Sequence, residues 1–266
     1  MEFDNLKIAI GQINIIWEDK EKNKKKCEKM VRAAAKNKAD LIIFPEMTLT
    51  GFSMDINKIS EQYNQSPTIN FFKKLAKENK ISIIFGMVLK SKKNDLGQNT
   101  AITIDRLGKI IAKYKKIHPF SFVCEDKFYE PGNKLSIFKI KNIKAAVVIC
   151  YDLRFPGIFE ALARHKIELI IVIANWPKIR IKNWESLLLS RSLDTQSYII
   201  GVNRFGNSKE ECYDGNSLVY LPSGIKLVQL NKEQLGFVNL NNKIITDTRK
   251  QFPSLNDKRH KLYLKL

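Results

Sequence analysis

An α/β fold, one sheet or two packed sheets covered by helices, is the class predicted for this chain of 266 residues. Short aliphatic and β-branched runs, such as Leu41-Ile42-Ile43-Phe44 and Ala145-Ala146-Val147-Val148-Ile149, have the length and character of strands buried on both faces. Charged stretches with apolar residues at helical spacing lie between them. No proline- or serine-rich linker divides the chain, and no self-repeat of about 20 to 50 residues is visible, so one domain over 1–266 is expected.

Leu6 to Gly11 alternates apolar and other residues and reads as the first strand. Lys20 to Lys38 follows as a helix, with Cys27, Met30, Val31, Ala34 and Ala35 on one face. Ala39 to Pro45 is a second strand, stopped by its proline. A helix near Thr68 to Asn79 and a strand at Ile81 to Leu89 repeat the alternation. Ala101 to Asp105 then turns at Arg106-Leu107-Gly108 into Lys109 to Tyr114, a hairpin. After Cys150, a helix from Pro156 to His165 leads into a strand at Leu169 to Ala174. Trp184 to Ser197 is an amphipathic helix, with Trp184 on its core side. Tyr198 to Asn203 is a strand, and Ser217 to Tyr220 and Lys226 to Leu230 form a hairpin about Pro222-Ser223-Gly224.

The composition excludes several classes. With 44% hydrophobic residues the chain can bury a large core. No apolar stretch approaches the roughly 18 residues of a spanning helix. The start, Met1-Glu2-Phe3-Asp4-Asn5, lacks the features of a signal peptide, so a cytoplasmic location is expected. Cys27, Cys124, Cys150 and Cys212 form no CxxC pair and are expected as free thiols. The net charge of +19 invites a nucleic-acid reading, yet 37 of the 46 cations are lysine, and arginine is the better reader of bases. Lys20 to Lys29 and Lys73 to Lys80 mix lysine with glutamate at helical spacing, as solvated helix faces do. The surplus is suited to drawing small anions toward a cleft.

Three candidates for chemistry stand at strand ends, where layered α/β folds place catalytic groups. Glu46, after Phe44-Pro45, is a carboxylate at the edge of an apolar core and a candidate general base. Lys116, in Tyr114-Lys115-Lys116-Ile117-His118-Pro119, is a cation suited to a developing oxyanion if it points inward; its neighbour Lys115 competes for that role. Cys150 closes its strand just before Tyr151-Asp152-Leu153-Arg154-Phe155-Pro156 and is either a nucleophile or a buried small hydrophobe. A Cys-His arrangement is the competing design. Of the three histidines, His165 and His260 read as surface residues, and His118 is equally suited to holding the Lys116 loop.

Phe44-Pro45-Glu46, Tyr114-Lys115-Lys116-Ile117-His118 and Ile149-Cys150-Tyr151-Asp152-Leu153-Arg154-Phe155-Pro156 together resemble, in order and interval, the three signatures of the nitrilase superfamily of carbon-nitrogen hydrolases. The resemblance runs from Leu6 to the tail. Ala174-Asn175-Trp176-Pro177, with Trp184, Arg191, Asp194 and Asn203-Arg204, is similar to the omega-amidase branch, which hydrolyses the terminal amide of α-keto acids. The resemblance implies a four-layer αββα sandwich that dimerises through its helical face. It implies Glu46 as base, Lys116 as oxyanion stabiliser, Cys150 as nucleophile and Glu125 as a second carboxylate, with Asp126 the neighbouring alternative. Pro119, where many relatives carry leucine, is a departure that bears on loop shape.

The expected reaction is hydrolysis of a small amide through a thioester, releasing ammonia, with the backbone N–H of Tyr151 as the second oxyanion donor. No metal cluster or phosphate-binding glycine loop is visible, so no cofactor is expected. The expected partners are an anionic small-molecule amide such as α-ketoglutaramate and a second copy of the chain, with no nucleic acid or membrane. Arg154, Lys178, Arg180 and Arg204 are available for a substrate carboxylate, and Trp176 is placed to wall the acyl pocket.

Overall fold

The computed structural model of the protein describes residues 5–92, 95–263 and 265. Met1 to Asp4, which entered the expectation about location, lie outside the described residues. The first half contains β1 (Asn5–Gln12), α1 (Lys20–Lys36), β2 (Leu41–Ile43), α2 (Ile56–Ile59), α3 (Pro67–Asn79), β3 (Ser82–Lys90), β4 (Gly97–Ile104), β5 (Ile110–Lys115) and the one-turn helix α4 (Glu125–Phe128). The second half contains β6 (Ile137–Ile140), β7 (Ile143–Ile149), α5 (Pro156–Arg164), β8 (Leu169–Ala174), α6 (Ile181–Thr195), β9 (Tyr198–Asn203), β10 (Phe205–Asn207), β11 (Cys212–Asp214), β12 (Ser217–Tyr220) and β13 (Lys226–Leu230). β14 (Gln234–Asn241), α7 (Asn242–Gln251) and α8 (His260–Tyr263) complete the chain.

Two six-stranded mixed sheets run in the orders β14-β1-β2-β3-β4-β5 and β13-β12-β9-β8-β7-β6. Their spatial pattern is the same, although the strand beside β1 is β14 from the far end of the chain and the strand beside β7 is its hairpin partner β6. In each, three parallel strands are flanked by antiparallel ones, and the parallel strands are joined through helices, α1 and α3 in the first and α5 and α6 in the second. Strand β2 therefore corresponds to β8, and the segment after each carries a site residue. The two halves share this plan without an obvious repeat in sequence, because each buried strand needs only some apolar residue at a given place.

Side-chain alternation assigns the layers. Ile8, Ile10, Leu41, Ile43 and Ile84 face the second sheet and pack with Val147, Ile149 and Ile171. Ala9, Ile42, Ile83 and Phe85 face the other way, onto Cys27, Val31 and Ala34 of α1 and Phe72, Leu75 and Ala76 of α3. Trp184 and Leu188 of α6 and Phe159 and Leu162 of α5 cover the far side of the second sheet. The layers thus run helix, sheet, sheet, helix, an α/β sandwich in agreement with the expected αββα order.

Local chemistry fixes the helix ends. Asp19 caps α1 by accepting from the backbone N–H of Lys22, and Ser66 caps α3 at Ile69 just before Pro67. The lysine-rich faces are paired as their spacing predicts, Lys24 with Glu21 at 2.7 Å and Arg32 with Glu28 at 2.5 Å. The hairpin at Arg106 turns through Gly108 at φ +81°, with Asp105 Oδ1 accepting from the N–H groups of Leu107 and Lys109. Among the described residues no helix is long and apolar enough to cross a membrane.

Candidate active site

Three turns at strand ends bring the site together. Beyond β2 the chain passes Glu46 and enters Met47 at φ +45°; Lys116 follows β5 directly; Cys150, at φ +47°, follows β7. A non-glycine residue in this region is held at a cost of roughly 1–3 kcal/mol, and such strain collects at functional sites. Cys124, immediately before Glu125, has φ +59° as well.

The Glu46 turn is stapled to β3 at Gly86. Thr48 N donates to Gly86 O at 2.9 Å, Gly86 N donates to Thr48 Oγ1 at 3.1 Å, and Thr48 Oγ1 donates to Pro45 O at 2.6 Å. A Cβ at position 86 would lie 2.5 Å from Met47 N and 2.7 Å from Glu46 Cα, both backbone atoms. Gly86→Ala is therefore expected to push the Glu46 turn out of place. Thermal unfolding and steady-state assays should register a loss of about 1–3 kcal/mol in stability and a fall in kcat; unchanged values would mean that the turn tolerates the shift.

Glu46 and Glu125 are fully buried and Lys116 is 1% exposed. Lys116 Nζ lies 3.2 Å from Glu46 Oε1, and 3.1 and 2.8 Å from the two oxygens of Glu125. Asn99 on β4 donates through Nδ2 to Glu46 Oε1 at 2.8 Å and to Glu125 Oε1 at 3.0 Å, tying the two carboxylates together from a second side. The other oxygen of Glu46 accepts from the backbone N–H of Asn175 at 2.8 Å, and Asn175 Nδ2 donates to the Glu46 carbonyl at 2.8 Å. Phe120 N–H donates to Glu125 Oε2. Asp126 is exposed, so of the two neighbouring acids it is Glu125 that reaches the cluster.

Burial alone disfavours the Lys116 ammonium, but the charges of Glu125 and Glu46 outweigh it and hold its pKa well above the ordinary lysine value. For Cys150 burial and the charge of Glu46 act together, and Lys116 only partly opposes them, so its pKa is well above the ordinary thiol value. The resting nucleophile candidate is thus a thiol, and chemistry there requires a base that removes its proton during attack.

Asp152 joins the Lys116 segment to the Cys150 turn. Its Oδ2 accepts from the Tyr114 hydroxyl at 2.8 Å and from Ile149 N at 3.0 Å, and its Oδ1 accepts from His118 N at 2.9 Å. His118 Nδ1 lies 2.9 Å from the same Oδ1, and the imidazole stacks on Phe155 at 3.8 Å between centroids. His118 is thus engaged in fixing the loop, which leaves Glu46 as the candidate base beside Cys150. His165 is exposed as expected, whereas His260 is half-buried against Glu160, because α5 presents a carboxylate to the tail. Lys115 turns outward to Glu130.

A cavity of about 330 Å³ opens over Cys150, Lys116 and Asn175. Trp17, Phe52, Phe120, Tyr151, Trp176 and Tyr213 wall it, and Arg154, Arg180, Lys209, Glu210 and Glu211 also line it. Trp176 is held by Asn203, whose Oδ1 accepts from its N–H at 2.7 Å and whose Nδ2 donates to its carbonyl at 2.9 Å. Arg154 lies over the Trp176 ring at 5.1 Å, and Arg180 is loosely paired with Glu211 at 3.6 Å. Two expected cations are not in the cavity wall. Lys178 pairs with Asp214 at 3.3 Å, and Arg204 is buried, with Nη2 donating to the carbonyls of Ile15 and Asn207. Trp184 is fully buried in the core, as expected. Asn99, Lys209, Glu210 and Glu211 were not singled out from sequence; Asn175 stood only within the segment Ala174-Asn175-Trp176-Pro177, with no role of its own, although it follows the β8 strand directly.

Of the four cysteines, all free, Cys27 is buried and Cys124 and Cys212 are exposed. Burial pushes the Cys27 thiol and the Tyr129 phenol up, and burial followed by the charge of Asp152 does the same to Tyr114. Each of these groups binds its proton more tightly folded than unfolded. Their stabilisation is in place below the ordinary values of 9.0 and 10.0 and is lost as pH rises through and beyond them. The melting temperature is expected to fall steadily above about pH 9; a flat profile to about pH 11 would contradict it.

Residues 7–250 match the family described as Carbon-nitrogen hydrolase. Among similar proteins, "Hydrolase in agr operon" of Staphylococcus aureus is 28% identical over 251 residues, which cover 93% of this chain and 96% of that protein. "2-oxoglutaramate amidase" of Bacillus subtilis is 28% identical over 259 residues, covering 96% and 98%. A Xanthomonas campestris structure, described as a CN-hydrolase superfamily protein with an arsenic adduct in the active site, superposes with a TM-score of 0.88 at 25% identity over 96% of this chain and 97% of that one. A family match over nearly the whole chain, relatives aligned end to end and a shared fold lead to one conclusion: this chain belongs to the carbon-nitrogen hydrolase family, within the nitrilase superfamily.

Proposed function

We propose that this hydrolase is an omega-amidase that releases ammonia from the terminal amide of a small α-keto acid, such as α-ketoglutaramate or α-ketosuccinamate, by a Glu46-Lys116-Cys150 mechanism. The observation that carries the reading is the meeting of a buried carboxylate, a charged ammonium and a protonated thiol at one cavity whose wall also holds Arg154 and Arg180. The relative named 2-oxoglutaramate amidase supports the substrate class. A lysine ammonium has three N–H donors. Lys116 Nζ meets one oxygen of Glu46 and both of Glu125, and with the two Glu125 oxygens sharing one N–H, a third is left for a substrate oxygen. The 3₁₀ turn that begins at Cys150 leaves its first N–H groups without partners inside the turn, and that of Tyr151 is the second donor.

Glu46 takes the thiol proton as the Cys150 sulfur attacks the amide carbon. Charge developing on the carbonyl oxygen is held by Lys116 and the Tyr151 N–H, each such donor being worth on the order of 2.7–4 kcal/mol of barrier. The C–N bond breaks, Glu46 gives its proton to the leaving nitrogen, and ammonia departs from a thioester. Water deprotonated by Glu46 then attacks the thioester, the acid leaves, and the thiol is restored. Glu125 keeps Lys116 charged and aimed throughout. Arg154, stacked on Trp176, and Arg180, exchanging Glu211 for substrate, hold the distal carboxylate.

Steady-state rates on α-ketoglutaramate, succinamate, glutamine and simple nitriles test this reading. The highest kcat/KM is expected on the keto-acid amide; a preference for a nitrile or an N-carbamoyl compound would assign another chemistry of the same superfamily. We further propose that a second copy covers α6 and the β12–β13 turn, where Gly224 packs on Leu189 and Leu193, and Leu193 and Ile225 remain 50% and 60% exposed. Sedimentation is expected to give a dimer, and a monomer at micromolar concentration would refute it.

A further inference from the structure

Asn175 has one polar atom that the protein leaves unused. Its backbone N–H and Nδ2 are both committed to Glu46, at 2.8 Å to Oε2 and 2.8 Å to the carbonyl, with a weaker 3.3 Å contact from Nδ2 to Oε2. These contacts fix the orientation of the amide, since a flipped side chain would set Oδ1 against two oxygens of Glu46. Oδ1 is then buried with no hydrogen-bond partner. A buried acceptor left unpaired costs roughly 1–3 kcal/mol, so it calls for a donor. Among the described residues with such an orphaned atom, Asn175 is the one that lines the cavity over Cys150.

The residue also stands where a donor arrives. Asn175 directly follows β8, the counterpart of β2, and so meets Glu46, three residues beyond β2, from the other sheet. In the mechanism above, on which this inference rests, Glu46 meets the amide nitrogen, and a primary amide nitrogen carries two N–H groups. Glu46 serves one of them.

We propose that Asn175 Oδ1 accepts the other N–H of the substrate amide and holds the nitrogen over Glu46 as it leaves. The site thereby selects a nitrogen leaving group over an oxygen one, because an ester offers no hydrogen to this acceptor. By microscopic reversibility the same atom receives an N–H of an amine that attacks the thioester: the new C–N bond forms, the C–S bond breaks, and Glu46 takes the proton that the amine loses. Asn175 also supports the Glu46 backbone, so a simple loss of activity would not separate the two roles.

The test is a ratio measured within one enzyme. Wild type and Asn175→Ala are each given an amide that the wild type hydrolyses and the methyl ester of the same acid, succinamate with monomethyl succinate or acetamide with methyl acetate. The ratio of the two kcat/KM values, which report acylation, is independent of how much enzyme is folded. The variant is expected to lose about 10-fold or more in its amide-to-ester ratio of kcat/KM. An unchanged ratio with lowered rates would overturn the proposal and leave Asn175 a support for Glu46. If Asn175→Ala does not fold, Asn175→Gly, which keeps the backbone N–H on Glu46, is put through the same ratio. Activity surviving in Cys150→Ala would instead count against the mechanism on which the proposal rests.

Discussion

Cys150→Ala is expected to lower amide turnover by a factor on the order of 10⁴ or more, because removal of the nucleophile from a covalent mechanism leaves only binding and the oxyanion donors to act. The substitution is small and leaves the fold alone. Alanine adopts the same φ of +47° at a similar cost, and the hydrogen bonds that shape the turn come from Asp152 and the backbone, not the sulfur. The melting temperature near neutral pH is therefore expected to stay within a few degrees of wild type. Turnover at a normal rate by a folded Cys150→Ala protein would remove the thiol from the chemistry.

Lys116→Met is expected to act on rate and stability together. Without the ammonium, the carbonyl oxygen loses a charged donor, and acylation is expected to slow by about 10²- to 10³-fold. Cys150 remains present and open to alkylation. The two buried carboxylates that shared Lys116 now face each other with Asn99 between them, and breaking such a buried arrangement costs roughly 3–5 kcal/mol. The melting temperature near neutral pH is therefore expected to fall well below that of wild type. An unchanged melting temperature would mean that the two carboxylates do not depend on Lys116, and wild-type acylation would take Lys116 out of the oxyanion role.

The parts of this molecule that were legible in its sequence are those where one residue type has few alternatives. β8 is all apolar and β9 is so up to its closing Asn203, and both were placed at their observed limits. Pro45 ended the run leading to Glu46, and Gly108 and Gly224 marked their turns, with φ of +81° and +83°. The chain's end was not legible for the opposite reason. β14 mixes glutamine, glycine and asparagine with its apolar residues, and α7 opens on Asn242 and Lys243 followed by the β-branched Ile244, Ile245 and Thr246, which are weak helix formers. What makes β14 a strand is its partner β1, paired from Asn5 with Asn241 through Gln12 with Gln234, a contact about two hundred residues distant in sequence.

The site divides along the same line. Glu46, Lys116 and Cys150 stood at strand ends within recognisable motifs, and each reaches the cavity or the cluster beneath it. Asn99 did not stand out, and Asn175 stood within a recognisable segment but without a role, since an asparagine at a strand or its end has many ordinary uses and the value of both comes from contacts made by the fold. Arg204 was plausible as a carboxylate binder by type, but the structure spends it on backbone carbonyls, with its ring neighbour Tyr213 facing the cavity instead. Burial draws its pKa down to about 10.

The central claim, that Cys150 carries the acyl group of the substrate, is tested most directly by acid-quenching the enzyme during turnover of an amide and weighing its peptides. The account predicts that the Cys150 peptide gains the mass of the acyl group, that hydroxylamine removes the gain, and that it never forms on Cys150→Ala. Continued turnover with no acyl mass on Cys150, in samples where Cys150→Ala is equally active, would contradict it.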